Sequence, residues 1–417
     1  MQKWFLSISA LTIMVVSGKI YNKGIKNACL LIEEGKIAGI KKYIKGRKVD
    51  YGDALIFPSA IDIHVHFREP GGGAEDFFTG TRAASLAGVT CVFDMPNNEP
   101  AIYNRKSFEE KRRRVSKKAC VDFALYGGIK GKVNEMDCIA YKFFLSRDNE
   151  LFCEDIEKIL FEVKKKNKIV AIHAESEECI SRKKARNLIE HEKNRNLECE
   201  LNAIKKIIEL NEKIGAKIHI CHVTSKKSIE IIKRRASFGV TLHHLLFSYE
   251  NKFKKEAFGK VNPPLRSEIE RKELFNEFKK GEIKIFESDH APHLIEEKEN
   301  FEDAPSGMPG VDAFMPILLY FAKKGVISFK IIEKSFCKNP AKLFGIRKGE
   351  IKVGNDADFL VIDLKKVKKI KPLSKCGWSA YEGMKCIYPM HVYLRGEKIV
   401  DNFEFVGEKG MGRAING

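Results

Sequence analysis

Between residues 58 and 345 the chain alternates short apolar runs with longer charged stretches of helical period. Eight runs recur: IDIHVHF (61–67), VTCVFDMP (89–96), VDFALYGGI (121–129), CIAYKFFL (138–145), KIVAIHAE (168–175), KIHICHV (217–223), VTLHHLLFS (240–248) and IKIFESDH (283–290). Segments such as RKSFEEKRRRVSKKA and LNAIKKIIELNEKIG separate them as helices. Eight β-then-α units in about 290 residues predict an α/β fold of the (β/α)8 TIM-like barrel type. The alternative, a doubly wound open sheet, calls for a Gly-rich phosphate turn after an early strand, and neither a GxGxxG nor a Walker pattern occurs.

The two chain ends read differently. VVSGKIY, NACLLIEEGKIAGI and ALIFP, and later GEIKVGNDADFLVIDL and PMHVYLRGEKIVDN, are short strands broken by Gly- or Asp-containing turns. Neither end can build a good core alone. Residues 14–57 and 346–417 are therefore expected to pair into one small β-sandwich-like domain beside a barrel of residues 58–345. Trp4 to Val16 carries no charge and follows Lys3, like a short signal-peptide core, but lacks an evident A-x-A cleavage site. The preferred reading makes Met14 the natural start and residues 1–13 an upstream extension.

Composition narrows the class. With 44% hydrophobic and 31% charged residues, the chain of 417 residues is ordinary for a globular protein, which excludes collagen, wholesale disorder and a multi-span membrane protein. The net charge of +19 raises the question of nucleic acid. Its clusters, Lys111–Arg114, Lys164–Lys166 and Lys365–Lys369, read as solvated faces, and no helix-turn-helix, RNP or KH pattern accompanies them. No nucleic-acid and no membrane partner is expected. Eleven cysteines without a CxxC pair read as mostly buried, reduced thiols in a cytoplasmic protein. Gln occurs once, at Gln2. Scarce Gln with abundant Lys and Glu fits a hyperthermophile trend, and an AT-rich genome accounts for it equally.

The chemistry lies in the histidines. His64 and His66 stand two apart on the first run, where side chains of a strand share a face, so both can reach one ion. His173, His222 and Asp289 fall near the ends of the fifth, sixth and eighth runs, where a barrel builds its active site. Imidazoles with a carboxylate suit a hydrolytic zinc centre. Lys142 lies inside CIAYKFFL. An unpaired lysine among apolar groups is costly to keep charged, and a neutral amine can add CO₂ to give a carbamate able to bridge two metals. The alternative is a lysine that snorkels to the surface. His243 and His244, on the seventh run, read as core or supporting residues, and His290 as a support for Asp289.

These residues resemble the amidohydrolase superfamily and, within it, the dihydroorotases. The resemblance runs from about Ser17 to Asn402, carried by Asp62-Ile-His64-Val-His66-Phe-Arg68-Glu-Pro70-Gly71, Met95-Pro96-Asn97, Ile220-Cys-His222-Val-Thr224, Asn262-Pro-Pro-Leu-Arg266 and Ser288-Asp289-His290-Ala-Pro-His293. It implies two zinc ions per subunit. His64, His66 and Asp289 would hold the first and His173 and His222 the second. Carboxylated Lys142 would bridge them, with a hydroxide nucleophile between and Asp289 as general acid/base. Arg68, Asn97 and His293 would hold the substrate carboxylate. Asn262 and the Ser306–Gly310 backbone would face the ring. The implied reaction is reversible closure of N-carbamoyl-L-aspartate to (S)-dihydroorotate in pyrimidine synthesis. A homodimer and association with an aspartate carbamoyltransferase go with the resemblance.

Alternatives stay open at this point. Asp148, six residues past Lys142, competes for the bridging role. Asp312 stands where many relatives have Glu. Hydantoinases, dihydropyrimidinases and allantoinases share much of the pattern, and some dihydroorotase-like chains are non-catalytic scaffolds. Leu294–Met308 is a candidate for the loop that closes over substrate.

Overall fold

The computed structural model describes residues 13–416; the leader reading of residues 1–13, Gln2 included, therefore lies outside the described residues but for Ile13. From Met14 the chain forms β1 (Met14–Tyr21), β2 (Ile25–Glu33), β3 (Lys36–Lys41) and β4 (Val49–Pro58). It then enters the barrel through β5 (Ala60–Val65), β6 (Val89–Asp94), β7 (Asp122–Gly128), β8 (Ala140–Phe144), β9 (Ile169–His173), β10 (Lys217–Ile220), β11 (Ser237–Val240) and β12 (Ile285–Phe286). These eight pair in sequence order, each parallel to the next. Val65 bridges His290, and the His66 N–H donates to the His290 carbonyl at 2.8 Å, which closes the ring. Every residue of β5 to β9 is buried. That is why these runs read as continuous rather than alternating: helices cover one face and the barrel interior the other.

The helices between strands are α1 (Phe77–Ala87), α2 (Arg105–Val115), α3 (Ile156–Lys165), α4 (Leu188–Asn194), α5 (Leu197–Ile214), α6 (Lys226–Ile232), α7 (Leu242–Leu246), α8 (Glu268–Lys280) and α9 (Phe314–Lys323). Asp76 caps α1 by accepting from the Phe78 and Thr79 N–H groups at 2.9 and 3.0 Å. On α3, Ile156, Ile159, Leu160 and Val163 form the buried stripe against the barrel.

The seventh run departs from its expected strand. The strand is Ser237–Val240, and LHHLL is helix α7. Thr241 explains the switch: its hydroxyl accepts from the His244 N–H and ends the strand by starting a helix.

Strands from both ends join one eight-stranded sheet. β13 (Phe359–Ile362) pairs antiparallel with β4; β14 (Lys368–Lys369) and β15 (Lys385–Cys386) form a separate ribbon; β16 (His391–Leu394), β17 (Glu397–Asp401) and β18 (Glu404–Phe405) complete the order β18-β17-β16-β13-β4-β1-β2-β3. Lys348 ties this sheet to the barrel. Its buried ammonium meets Asp122 of β7 at 2.6 Å, Asp356 at 2.9 Å and Asp358, just before β13, at 2.7 Å. A buried lysine needs such partners to stay charged.

Nine cysteines are free and buried, but Cys179 and Cys199 form a disulfide, with Cα atoms 5.1 Å apart. This corrects the expectation for that pair. The chain returns through α4, and the Ser176 N–H donates to the Cys199 carbonyl, so α5 starts against the segment that follows β9. Among the described residues no helix is long and apolar enough to cross a membrane.

Candidate active site

A cavity of 810 Å³ opens where β5 to β12 end, and all ten residues singled out in the sequence line it: His64, His66, Arg68, Asn97, Lys142, His173, His222, Asn262, Asp289 and His293. His64 leaves β5 two residues before His66. Their Nε2 atoms stand 3.1 Å apart, and Asp289 Oδ1 lies 3.3 Å from the first and 3.1 Å from the second. Opposite them, Nδ1 of His173, the last residue of β9, is 3.1 Å from Nε2 of His222. The His64 and His222 rings are 5.3 Å apart. Two imidazole pairs and a carboxylate thus converge from four strand ends.

Arg68, two residues past His66, does not continue the strand face of His64 and His66. β5 ends at Val65, and Arg68 sits in the left-handed region at φ 51°. Its Nη1 donates to the Pro292 carbonyl at 2.5 Å, which brings it beside His293. His222 and Asp289 are also left-handed, at φ 38° and 47°. Such backbone is costly for residues with a Cβ and clusters where function holds it in place.

Lys142 is fully buried on β8. Its Nζ donates to Cys221 Sγ at 3.1 Å and lies 5.0 Å from the Phe144 ring centroid, and among the described residues no carboxylate pairs with it. Asp148 also lines the cavity, but its carboxylate is bound by Arg195 at 2.5 Å and by Arg182.

Of the supporting residues, Asp62 heads the first sequence motif, and Glu175, Glu287 and Arg195 were not singled out in the sequence. Glu175 accepts from His173 Nε2 at 2.7 Å and is held by Arg195 Nη2 at 2.7 Å. Glu287, fully buried, accepts from the His222 backbone N–H and from His219 Nε2 at 3.2 Å, and lies 3.6 Å from His64 Nδ1. Gly239 of β11 makes room for it: a Cβ there would stand 2.2 Å from the Glu287 carboxyl carbon. Asp62 accepts from the His64 and Ser288 N–H groups at 3.2 and 3.0 Å. Spacing held a signal for Glu175 and Glu287, each two residues from a singled-out group; Arg195 had none.

Asn97 Oδ1 is 2.6 Å from His66 Nδ1, so it orients that ring from behind. Asn262 precedes a cis proline, and its buried Oδ1 has no partner among the described residues. His293 Nε2 donates to the Ser306 carbonyl at 3.1 Å. Two buried lysines bond to the loop 294–308. Buried Lys298 Nζ donates to the Pro305 carbonyl at 2.5 Å, and Lys260 Nζ to the Phe301 carbonyl at 2.7 Å. His244 supports the Asn262–Pro263 bend by bonding the Pro263 carbonyl at 3.0 Å. His290 Nδ1 accepts from the Gly310 N–H at 3.1 Å.

Burial would raise the Asp289 carboxyl, but the His64 and His66 imidazoles overcome it and hold the group well below the usual carboxylate range. Burial pushes His66 down to about 4. Burial, with Arg68 beside it, pushes His293 down to about 2.

The amidohydrolase family model matches residues 55–399. The chain is 33% identical to a dihydroorotase from Methanosarcina acetivorans, covering 95% of this chain and 93% of that one. It is 36% identical to one from Thermoplasma acidophilum, over 91% and 92%. Among solved structures, an L-hydantoinase from Arthrobacter aurescens superposes with a TM-score of 0.90 at 24% identity, over 97% of this chain and 99% of that one. A likeness at that identity speaks for the fold alone. The chain belongs to the amidohydrolase family and, within it, to the dihydroorotases.

Proposed function

We propose that the cavity interconverts N-carbamoyl-L-aspartate and (S)-dihydroorotate, with two zinc ions held by His64, His66, Asp289, His173, His222 and a carboxylated Lys142. The donor set supports the metals: Nε2 of His64, Nε2 of His66 and Oδ1 of Asp289 lie within 3.3 Å of one another, so three donors of the kind zinc takes can reach one ion. Lys142, buried and without a carboxylate partner, supports the carbamate, which supplies two oxygens and a negative charge. Zinc, when bound, activates water at neutral pH and polarises an amide carbonyl.

The protein's own groups do the rest. Asp289, ionised at neutral pH, takes a proton from the attacking water and returns it to the ring nitrogen as the amide C–N bond breaks. In the reverse direction it takes the proton from the ureido nitrogen as that nitrogen attacks the carbon of the protonated side-chain carboxyl, and returns it to the departing hydroxyl, which leaves as water. Arg68 offers a guanidinium fork to the carboxylate that both substrates keep. Asn97 holds the His66 ring, and the unpartnered Asn262 Oδ1 is an acceptor for a ring N–H.

The single observation that carries this reading is Arg68 lining the same cavity as the His64–His66–Asp289 cluster. A hydantoin or allantoin ring has no carboxylate to occupy that guanidinium. The test is turnover of dihydroorotate against hydantoin and allantoin, with zinc counted per chain. A preference for an uncharged ring overturns the substrate; full activity at one zinc per chain overturns the paired metals. The reading places the step after carbamoylation of aspartate in pyrimidine synthesis, in the cytoplasm. Light scattering of the chain, alone and with an aspartate carbamoyltransferase, tests the homodimer and the association.

A further inference from the structure

We propose that a second cavity, between α1, the β14–β15 ribbon and the β17–β18 hairpin, binds a small ligand with a flat apolar body and several negative charges, of the nucleoside phosphate class. This cavity has 510 Å³, within the range of small-molecule sites, and shares no lining residue with the active-site cavity. Its apolar wall is Leu86, Leu373, Tyr388 and Phe403. Its polar rim is Lys368, Lys369 and Lys371.

Two observations point to that ligand. The first is charge without partners. The segment KKVKKIK places five lysines in residues 365–371, all exposed. No carboxylate lies within 4.0 Å of any of them among the described residues, although Lys375 and Lys398 nearby pair with Asp76 and Asp401. Lys368 lies over the Phe403 ring, 3.2 Å from Nζ to its centroid, with Lys366 also over that ring at 5.2 Å. Partial burial against the cavity wall, with Lys366 beside it, pushes the Lys368 ammonium down from its ordinary value.

The second is a strained aromatic. Asn402 and Phe403 form the two-residue turn between β17 and β18, at φ 47° and 70°. Turns with both central residues left-handed favour Asn-Gly. A phenylalanine where glycine fits best costs stability, and strain of this kind gathers at ligand sites. Here it delivers the ring to the cavity wall. An apolar wall alone would suit any hydrophobe, and lysines alone any anion. Together they select a ligand that has both parts.

Isothermal titration of the zinc-loaded full chain with ATP, with tripolyphosphate and with adenosine separates the two parts. ATP is expected to bind about tenfold or more tighter than either fragment. Phe403→Gly, which relieves the turn and so keeps the fold, should weaken ATP about tenfold. Lys368→Glu with Lys369→Glu should abolish the binding, and dihydroorotate turnover should be unchanged in both variants. Equal affinity for ATP and tripolyphosphate, no ATP binding, or wild-type binding by the lysine pair variant would each overturn the site. None of these outcomes depends on the substrate of the first cavity.

Discussion

Glu175 accepts the Nε2 hydrogen of His173 at 2.7 Å, and that bond leaves Nδ1 as the nitrogen facing His222, 3.1 Å away. A carboxylate behind an imidazole fixes its tautomer and raises its basicity toward a metal. Arg195 in turn locks Glu175 and Asp148. The second imidazole pair is therefore set by a chain of charges that starts outside the cavity.

Glu175→Ala should lower zinc content toward one per chain and reduce kcat by about 10- to 100-fold, the usual cost of removing such a partner. Metal analysis beside turnover checks it. Two firmly held zinc ions and unchanged kcat would show that His173 needs no such anchor.

Lys142 and Asp148 compete for the bridging role, and their surroundings predict opposite outcomes. Asp148 already neutralises Arg195 and Arg182, whereas Lys142 has a thiol and a ring. Lys142→Ala should lose activity, with partial recovery on adding a short carboxylic acid that replaces the carbamate oxygens. Asp148→Asn should keep a bridged centre and lose only some of the hold on Arg195. A fully active Lys142→Ala enzyme beside a dead Asp148→Asn would reverse the assignment.

The barrel was legible because burial on both faces makes its strands plain apolar runs, and the histidines mark their ends. Three kinds of feature were not. Thr241 turns VTLHHLLFS from strand to helix through one hydroxyl, a local choice that hydrophobicity does not encode. Arg68, His222 and Asp289 reach the cavity through left-handed backbone at strand ends, where the period-two rule no longer says which way a side chain points. Arg195 and Glu175 meet although they stand 20 positions apart in the chain. The Cys179–Cys199 pairing has the same character, since only the return through α4 brings the two together.

Arg68 is the proposed reader of the substrate carboxylate, so its removal should act on substrate more than on metal. Arg68→Ala is expected to lower kcat/KM for dihydroorotate by about 100-fold, or about 3 kcal/mol, typical of truncating one partner of a buried charge pair. Zinc content should stay at the wild-type level. Arg68→Lys should recover little, because an ammonium lacks the two parallel donors. Loss of zinc together with activity would make Arg68 a structural residue.

His191 lies away from the cavity and gives the pH dependence of folding a clean handle. It is 7% exposed, and its Nε2 donates to the Val261 carbonyl at 3.0 Å, next to the Asn262–Pro263 bend. Burial pushes it down to about 4 from an ordinary value of about 6.5. Between those values the unfolded chain binds a proton that the folded chain refuses, so stability rises with pH in that window and falls as pH drops through it. The slope from this one group approaches about 1 kcal/mol per pH unit. His191→Asn keeps a donor for Val261 and cannot titrate. Urea midpoints from pH 4.5 to 7, in about half-unit steps, should show a shallower dependence in this variant than in the wild type. Parallel curves would mean that His191 is protonated in the folded protein as easily as in the unfolded chain.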